Sequence, residues 1–308
     1  MQTVHAITSP DRRAMSAPLP SAMRAWVATG YGGPDVLTLA DMPLPHVGPR
    51  DVLIRVQATT VSAADRRIRA LDFPRGMGLL GRAFFGLSRP RRPVLGTELT
   101  GIVVAAGEAV TRFRPGDAVI AFPGVKMGGH AEYCRVRTGL IVPRPAGMAL
   151  ETAAALGFGG TTALDFLRRA NLAAGERVLV IGASGTVGSA LVQLATHGGA
   201  NVTAVTSGGN LELVRCLGAT EAIDYQIRDV TSWTTRWDIV ADAAGALSFA
   251  QALPILAEGG RYLSIAGGIG DMIARPRGSR RPIAGPVKSA LMTSSTSPAW
   301  PQKAPSAR

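Results

Sequence analysis

The sequence predicts an α/β protein with a parallel sheet, preceded by a β-rich segment. Three observations support this fold class. Short strands with turns at close spacing fill the first half of the chain, strands and helices alternate after Gly175, and a glycine-rich loop joins one of those strands to a helix. Alternating strand–helix units build parallel sheets, whereas closely spaced short strands build antiparallel sheets or partly closed barrels.

The β-rich segment covers residues 23–150. Its predicted strands include Val52–Val56, Gly101–Ala106 and Ala118–Ala121, and turn signals such as Arg114–Asp117 separate them. This spacing predicts a partly closed β-barrel. Residues 1–22 lack the apolar region of a secretory signal and are predicted to form a disordered extension.

The residue pattern changes near Glu151, where a second domain over residues 151–287 is predicted. It opens with two helical segments, Glu151–Leu156 and Thr162–Arg169. The predicted strands that follow are Arg177–Ile181, Asn201–Thr206, Glu221–Asp224, Trp237–Asp242, Arg261–Ala266 and Pro282–Ala284. The predicted helices between them are Val187–Thr196, Asn210–Leu217 and Ser248–Leu256. Residues 288–308 have no apolar periodicity and are predicted to be a disordered tail.

The loop after the first parallel strand carries the clearest functional signal. Gly182 permits a tight turn, Gly185 lets the backbone approach a diphosphate, and Gly188 lets the helix pack closely on the strand. The helix N-terminus then presents free N–H groups and a partial positive charge. The pattern predicts a dinucleotide site formed by Gly182, Ala183, Ser184, Gly185, Thr186, Val187 and Gly188.

The end of the next strand bears on which dinucleotide binds. An NAD site usually places an acidic residue there to bond the ribose 2′-hydroxyl. The segment Thr206–Asn210 contains no acidic residue and no Arg, whereas Ser207 and Asn210 offer hydrogen-bond donors. These residues favour NADP over NAD, because no carboxylate of this segment would repel a 2′-phosphate.

Several motifs together resemble one family. They are Gly96–Gly101, Phe113–Asp117, Gly129–Tyr133, the glycine loop and Leu211–Ala219. With them the chain resembles the medium-chain dehydrogenase/reductase superfamily, and within it the zeta-crystallin-like branch of quinone oxidoreductases. The resemblance implies a GroES-like catalytic domain followed by a doubly wound Rossmann domain. It adds as expected cofactor contacts Thr161, Thr162, Tyr225, Ala243, Ala244, Gly245, Ala266, Gly267 and Gly268.

Zinc-dependent relatives need three soft or borderline protein ligands at an open catalytic site. The family positions for these ligands fall here in Val61–Asp65, at Thr97 and in Leu156–Phe158, and none of them holds Cys or His. The resemblance therefore implies a zinc-free enzyme with no metal. Hydride transfer from NAD(P)H to an electrophilic acceptor, such as a quinone or an activated C=C or carbonyl group, suits such a site.

The expected catalytic residues are Ser62, Asp65 and Tyr133. Ser62 stands where related reductases often have Asn and is expected to bond a substrate carbonyl oxygen. The alternative for Ser62 and Asp65 is a turn residue and a helix cap. Tyr133 is a candidate proton donor, with packing as its alternative. The long segment Phe73–Pro93 is interpreted as a lid over an apolar entrance or as a packed surface loop.

Composition limits the partners and the compartment. The net charge is +12, and Met272–Arg308 holds seven basic residues and no acidic one. Without a nucleic-acid motif these charges are interpreted as solvated, so we expect a small-molecule electrophile as partner, with no nucleic acid and no membrane. Two cysteines indicate a reducing, cytoplasmic setting. Relatives are commonly dimers, which suggests a homodimer.

The match to the family stops after Val287, so the sequence suggests a reductase truncated or frameshifted at its C-terminus. Two alternatives stay open beside the reductase interpretation. One is an NAD(P)-dependent alcohol or aldehyde dehydrogenase of the same fold, and the other is an inactive, truncated nucleotide-binding relative. A nucleic-acid-binding relative would reveal itself by steeply salt-dependent binding.

Overall fold

The computed structural model describes residues 19–73, 78–230 and 234–287. Among these, 19–73 and 78–158 form one compact unit and 159–287 form a second. The division falls inside a helix, whereas the sequence places the domain boundary at 150/151, where that helix begins. Of the predicted extension only residues 19–22 are described, and the predicted tail lies outside the described residues.

The first unit is built mainly from antiparallel strands. A two-stranded sheet pairs β1 (Ala22–Ala28) with β2 (Leu37–Pro43). A five-stranded sheet follows the order β6-β3-β4-β5-β7. Its strands are β3 (Asp51–Thr59), β4 (Leu99–Ala106), β5 (Ala118–Ala121), β6 (Tyr133–Arg137) and β7 (Ile141–Pro143). Side chains that alternate along these strands, including Ile54, Val103 and Val119, form a buried core between them.

Two short helices complete the first unit. Helix α1 (Ala63–Ala70) ends where Leu71 adopts a left-handed conformation with φ of +51°. Helix α2 (Gly78–Phe85) lies inside Phe73–Pro93, so part of the segment predicted as a loop is helical. The Phe85 ring stacks on Phe73 with ring centroids 5.6 Å apart, which anchors one side of α2 to the unit.

The second unit contains a six-stranded parallel sheet. Helix α3 (Leu150–Ala170) leads into β8 (Arg177–Ile181). Then follow α4 (Thr186–His197), β9 (Asn201–Thr206), α5 (Leu211–Cys216), β10 (Glu221–Asp224), β11 (Trp237–Asp242), α6 (Phe249–Ala252), β12 (Leu256–Ser264), α7 (Ile269–Met272) and β13 (Arg281–Ile283). The order β10-β9-β8-β11-β12-β13 is that of a doubly wound dinucleotide-binding sheet, which confirms the predicted fold class.

Two helix predictions were wrong in detail. The two segments predicted around Gly157–Gly160 are one helix, α3, and Gly159 is needed there because a Cβ would lie 2.5 Å from the Thr186 carbonyl oxygen. The predicted helix Ser248–Leu256 is α for only four residues. It tightens to a 3₁₀ turn at Leu253–Ile255, where Pro254 cannot donate a backbone hydrogen bond, and Leu256 already begins β12.

Candidate functional site

The glycine loop leaves β8 and enters α4 as a tight turn. Gly182 has φ of +76°, a conformation that favours glycine. A Cβ on Gly182 would meet the Ala244 side chain at 3.0 Å, and a Cβ on Gly188 would overlap the Gly182 carbonyl oxygen. Gly185 is the N-cap of α4, and its backbone is extended. Its lack of a side chain therefore permits a ligand to approach closely and does not serve a left-handed turn.

The amides of this loop divide into two groups. The N–H groups of Gly182 and Ala183 both donate to the Val205 carbonyl oxygen of β9 at 3.0 Å. They are therefore occupied by the protein and cannot serve a ligand in this conformation. The first turn of an α-helix leaves its N–H groups without intrahelical acceptors, so Thr186, Val187 and Gly188 present donors at the N-terminus of α4.

The carboxyl end of β9 lies beside this loop. The Thr206 hydroxyl donates to Ser184 Oγ at 2.7 Å, and Asn210 Nδ2 donates to Ser207 Oγ at 2.9 Å. A Cβ on Gly208 would lie only 2.6 Å from Asp224 Oδ2. An acidic side chain from the end of β10 thus reaches the Ser207–Asn210 turn. The sequence prediction missed Asp224, because it considered only Thr206–Asn210 and Asp224 lies on the next strand.

The loop after β11 is organised by Asp242, which sequence reasoning also missed. Asp242 is fully buried, with 0% exposure. Its Oδ1 accepts from the amides of Ala244 at 2.9 Å and Gly245 at 2.7 Å, and its Oδ2 accepts from Leu247 N at 2.8 Å and the Tyr262 hydroxyl at 3.2 Å. Burial, together with the nearby negative charge of Asp242, raises the pKa of Tyr262, so this hydroxyl stays protonated as a donor.

The third loop, after β12, joins the same edge of the sheet. A Cβ on Gly245, whose φ is +74°, would lie 2.9 Å from the Ala266 carbonyl oxygen. Gly267 packs against Ser264 and Asp271, and Gly268 is the N-cap of α7. The Ser264 hydroxyl donates to Asp271 Oδ2 at 2.8 Å, which fixes this turn. The predicted contact segments 182–188, 243–245 and 266–268 are therefore neighbours.

The remaining predicted cofactor residues differ in exposure. Tyr225 is 58% exposed just after β10, and its amide donates to the Thr206 carbonyl oxygen. Thr161 and Thr162 lie buried in α3, in the second unit. Thr162 Oγ1 has no hydrogen-bond partner among the described residues. The close approach of Gly159 to Thr186 places this part of α3 against the start of α4.

In the first unit, Ser62 and Asp65 form the N-terminal cap of α1. The Ser62 hydroxyl donates to Asp65 Oδ2 at 2.7 Å, and the Ser62 amide donates to the same oxygen at 2.8 Å. The Asp65 amide in turn donates to Ser62 Oγ. The capping interpretation is thus what the local geometry shows. Asp65 Oδ1 is buried without a hydrogen-bond partner among the described residues.

Tyr133 belongs to a different element from that cap. It is half-buried at the start of β6, opposite Arg55 of β3. It lines a groove of about 390 Å³ whose walls include neither Ser62 nor Asp65. That groove therefore contains one of the three predicted catalytic residues, Tyr133, and not the other two.

The described residues form neither a metal-ligand cluster nor a membrane-spanning helix. Within 19–73, 78–230 and 234–287 no group of three or more His, Cys, Asp or Glu side chains could hold a metal ion. The zinc positions that the family resemblance implies in Val61–Asp65 and at Thr97 hold no Cys or His. No helix in the same ranges is long and apolar enough to cross a membrane.

Comparisons with known proteins agree with this architecture. A model of the alcohol dehydrogenase GroES-like domain matches residues 48–155, and a zinc-binding dehydrogenase model matches residues 186–281. A quinone oxidoreductase from Coxiella burnetii has a similar structure, with a TM-score of 0.75, 25% identity, and 88% of this chain and 86% of that chain covered. The two units thus define a protein of the alcohol dehydrogenase fold.

The curated relatives indicate the branch of the family to which the chain belongs. A chloroplastic quinone-oxidoreductase homologue from Spinacia oleracea is 33% identical over 80% of this chain and 75% of its own length. An NADPH-dependent alkenal/one oxidoreductase from Arabidopsis thaliana is 34% identical over 82% of this chain. The chain spans 65% of the length of that second relative. The chain belongs to the medium-chain dehydrogenase/reductase superfamily, in its quinone oxidoreductase branch, as the sequence motifs predicted.

Proposed function

We propose that this chain is an NAD(P)H-dependent oxidoreductase that reduces a quinone or an activated C=C or carbonyl group without zinc. The observation that carries the proposal is the convergence of the loops after β8, β11 and β12 at one edge of a doubly wound sheet. Ligands of such sheets bind at the carboxyl ends of the strands, where the strand order reverses. Here that reversal lies between β8 and β11.

The chain's own residues fit a dinucleotide. Gly188 allows α4 to pack closely on β8, because a side chain there would overlap the Gly182 carbonyl oxygen. The backbone N–H groups of Thr186, Val187 and Gly188 suit the negative charge of a diphosphate. Ser207 and Asn210 would face the ribose 2′ position. When bound, the reduced nicotinamide would supply the hydride. Ser62 would hold a substrate carbonyl oxygen once its hydroxyl turns away from Asp65, to which it donates in this structure.

The relatives support an electrophilic substrate. Their names include a 2-methylene-furan-3-one reductase from Solanum lycopersicum, 33% identical over 82% of this chain, as well as the alkenal/one and quinone oxidoreductases. These substrates accept hydride without prior ionisation of an alcohol, which is the step that zinc assists in alcohol dehydrogenases. The described residues offer no zinc site, so an alcohol substrate suits them less well.

We further propose NADPH as the preferred cofactor. The hydrogen-bond donors of Ser207 and Asn210 and the NADPH dependence named for the Arabidopsis relative support this preference. Asp224 opposes this preference, because its carboxylate would repel a 2′-phosphate placed near Gly208.

A cytoplasmic location and a homodimer stay predictions. The homodimer can be tested by light scattering after size-exclusion chromatography.

The function is tested by a thermal-shift titration with NADPH and NADH. Two activity assays follow, one of NADPH oxidation with a quinone or an enone and one of NADP⁺ reduction with an alcohol. A ligand that binds only the native state raises its stability by about 2.7 kcal/mol at 100 times Kd. We expect stabilisation by NADPH and turnover of the quinone and the enone. Stabilisation without turnover would leave a nucleotide-binding protein, and no stabilisation by either nucleotide would refute the proposal.

A further inference from the structure

Two carboxyl groups are buried close to one another in the first unit. Glu98, one residue before β4, is 1% exposed, and Asp65 in α1 is 2% exposed. Asp65 exerts a like-charge effect on Glu98, and it is the one charged side chain that does so among the described residues. Burial of a carboxylate beside another negative charge is costly, and this favours the protonated form of Glu98.

The two oxygens of Glu98 have different partners. The amide of Phe158 donates to Oε2 at 2.6 Å, and the Gly157 amide also donates to this carboxyl group. The Thr60 hydroxyl donates to Oε1 at 2.6 Å, and protonation of Oε1 would reverse the direction of this bond. An amide can only donate, whereas a hydroxyl can donate or accept. The Thr60 contact is therefore the one through which a proton can pass.

Thr60 links this buried group to the surface. It is half-buried between Thr59, at the end of β3, and Val61, which is 68% exposed. Its carbonyl oxygen lies 2.9 Å from His130 Nε2, so the backbone of Thr60 is held in place. Ser62, the proposed contact for a substrate carbonyl, is two residues further on. Burial first, and then the charge of Asp65, raises the pKa of Glu98, which the three hydrogen bonds to it only partly offset.

We propose that Glu98 stores a proton and that the Thr60 hydroxyl delivers it to the substrate. This inference rests on the proposed reductase function and assigns its proton donor. Hydride adds to the β-carbon of an enone, and the C=C electron pair moves toward the carbonyl oxygen to form an enolate. The α-carbon then forms a C–H bond with the Thr60 proton, Thr60 takes the Glu98 proton, and Glu98 is left as a carboxylate. After product release, water returns a proton to Glu98 through Thr60.

A quinone provides an internal reference reaction. Its reduction leaves negative charge on an oxygen atom, which water protonates directly, so it does not need a protein proton donor at carbon. Loss of the relay should therefore slow enone reduction and spare quinone reduction. General acid catalysis typically contributes about 10²- to 10⁴-fold in rate.

The test compares Thr60→Val and Glu98→Gln with Thr59→Val. Thr59 is a matched control, because its hydroxyl donates at 2.7 Å to the backbone oxygen of Glu98 and not to its carboxyl group. We expect kcat for the enone to fall at least about tenfold in both relay variants. We expect kcat for the quinone to change little, and Thr60→Ser to restore the enone rate.

The pH profile is an independent measurement. In the wild type, kcat/KM for the enone should fall as pH rises through the pKa of Glu98, and Glu98→Gln should lack that decline.

A second readout needs no turnover. Because the folded-state pKa of Glu98 is raised above its ordinary 4.5, the stabilisation from its protonated form is present at low pH and is lost as pH rises above that value. Denaturant unfolding should therefore show a decline with pH in the wild type that Glu98→Gln lacks. Equal loss of both reductase activities in Thr60→Val and Thr59→Val, or the same pH dependence of unfolding in Glu98→Gln, would overturn the relay. If NADPH binds but no acceptor is reduced, the reductase proposal fails, and the unfolding comparison alone decides whether Glu98 stores a proton.

Discussion

We expect Asp224 to influence the choice of nucleotide, because its Oδ2 lies where a side chain on Gly208 would extend. Asp224→Asn removes one negative charge beside the proposed 2′-phosphate position. Unit charges a few ångströms apart near a surface interact by about 1 to 4 kcal/mol. We therefore expect the Kd for NADPH to fall roughly fivefold or more, with no tightening for NADH, as measured by isothermal titration calorimetry.

The matched control for this residue is Glu221→Gln. Glu221 lies at the opposite end of β10 and pairs with Arg228 at 4.0 Å. Its replacement should leave the ratio of the two Kd values unchanged. If Asp224→Asn weakens NADH and leaves NADPH unchanged, Asp224 bonds a ribose hydroxyl, and NAD is the preferred cofactor.

At the scale of elements, the junction of β8 with α4 depends on a residue without a side chain. Gly188→Ala places a Cβ against the Gly182 carbonyl oxygen, so α4 must shift away from β8. Overpacking of this kind costs about 1 to 3 kcal/mol. We expect that loss in urea unfolding and, because the donors at the N-terminus of α4 move, a loss of stabilisation by NADPH.

Gly139→Ala is the control for the same substitution in open space. A Cβ on Gly139 meets no atom within 4 Å, and its φ is not in the left-handed region. Surface changes of this type stay within about 0.5 kcal/mol. If NADPH stabilises Gly188→Ala as much as it stabilises Gly139→Ala, the N-terminus of α4 does not contribute to nucleotide binding.

On the scale of the whole molecule, the two units should respond differently to nucleotide. NADPH protects the amides that it contacts and stabilises the structure around them. We expect hydrogen–deuterium exchange to slow most in the second unit, at segments 182–188, 207–210, 243–245 and 266–268. Peptides from β3 and β4 in the first unit serve as the internal reference. Protection that is greatest in the first unit would place the nucleotide elsewhere.

Much of the second unit could be predicted from local sequence. Strands β8, β9, β10 and β11 have the predicted bounds, because buried parallel strands are short apolar runs bounded by turn residues. The glycine loop could also be predicted from the sequence, because each of its glycines meets a requirement of the local backbone geometry. The sequence prediction divided α3 in two, whereas the structure has one helix in which Gly159 lies close to Thr186.

The sequence by itself determined the fold class, the family and the position of the nucleotide loop, since these depend on periodicity and on residues that are close along the chain. Only the tertiary structure decided which distant side chains meet. Glu98 contacts Phe158 and Thr60, which are 60 and 38 residues away, and Asp224 reaches Gly208 from the neighbouring strand. The physical reason is that burial and hydrogen bonding of a polar group depend on atoms brought together by folding, which no local pattern records.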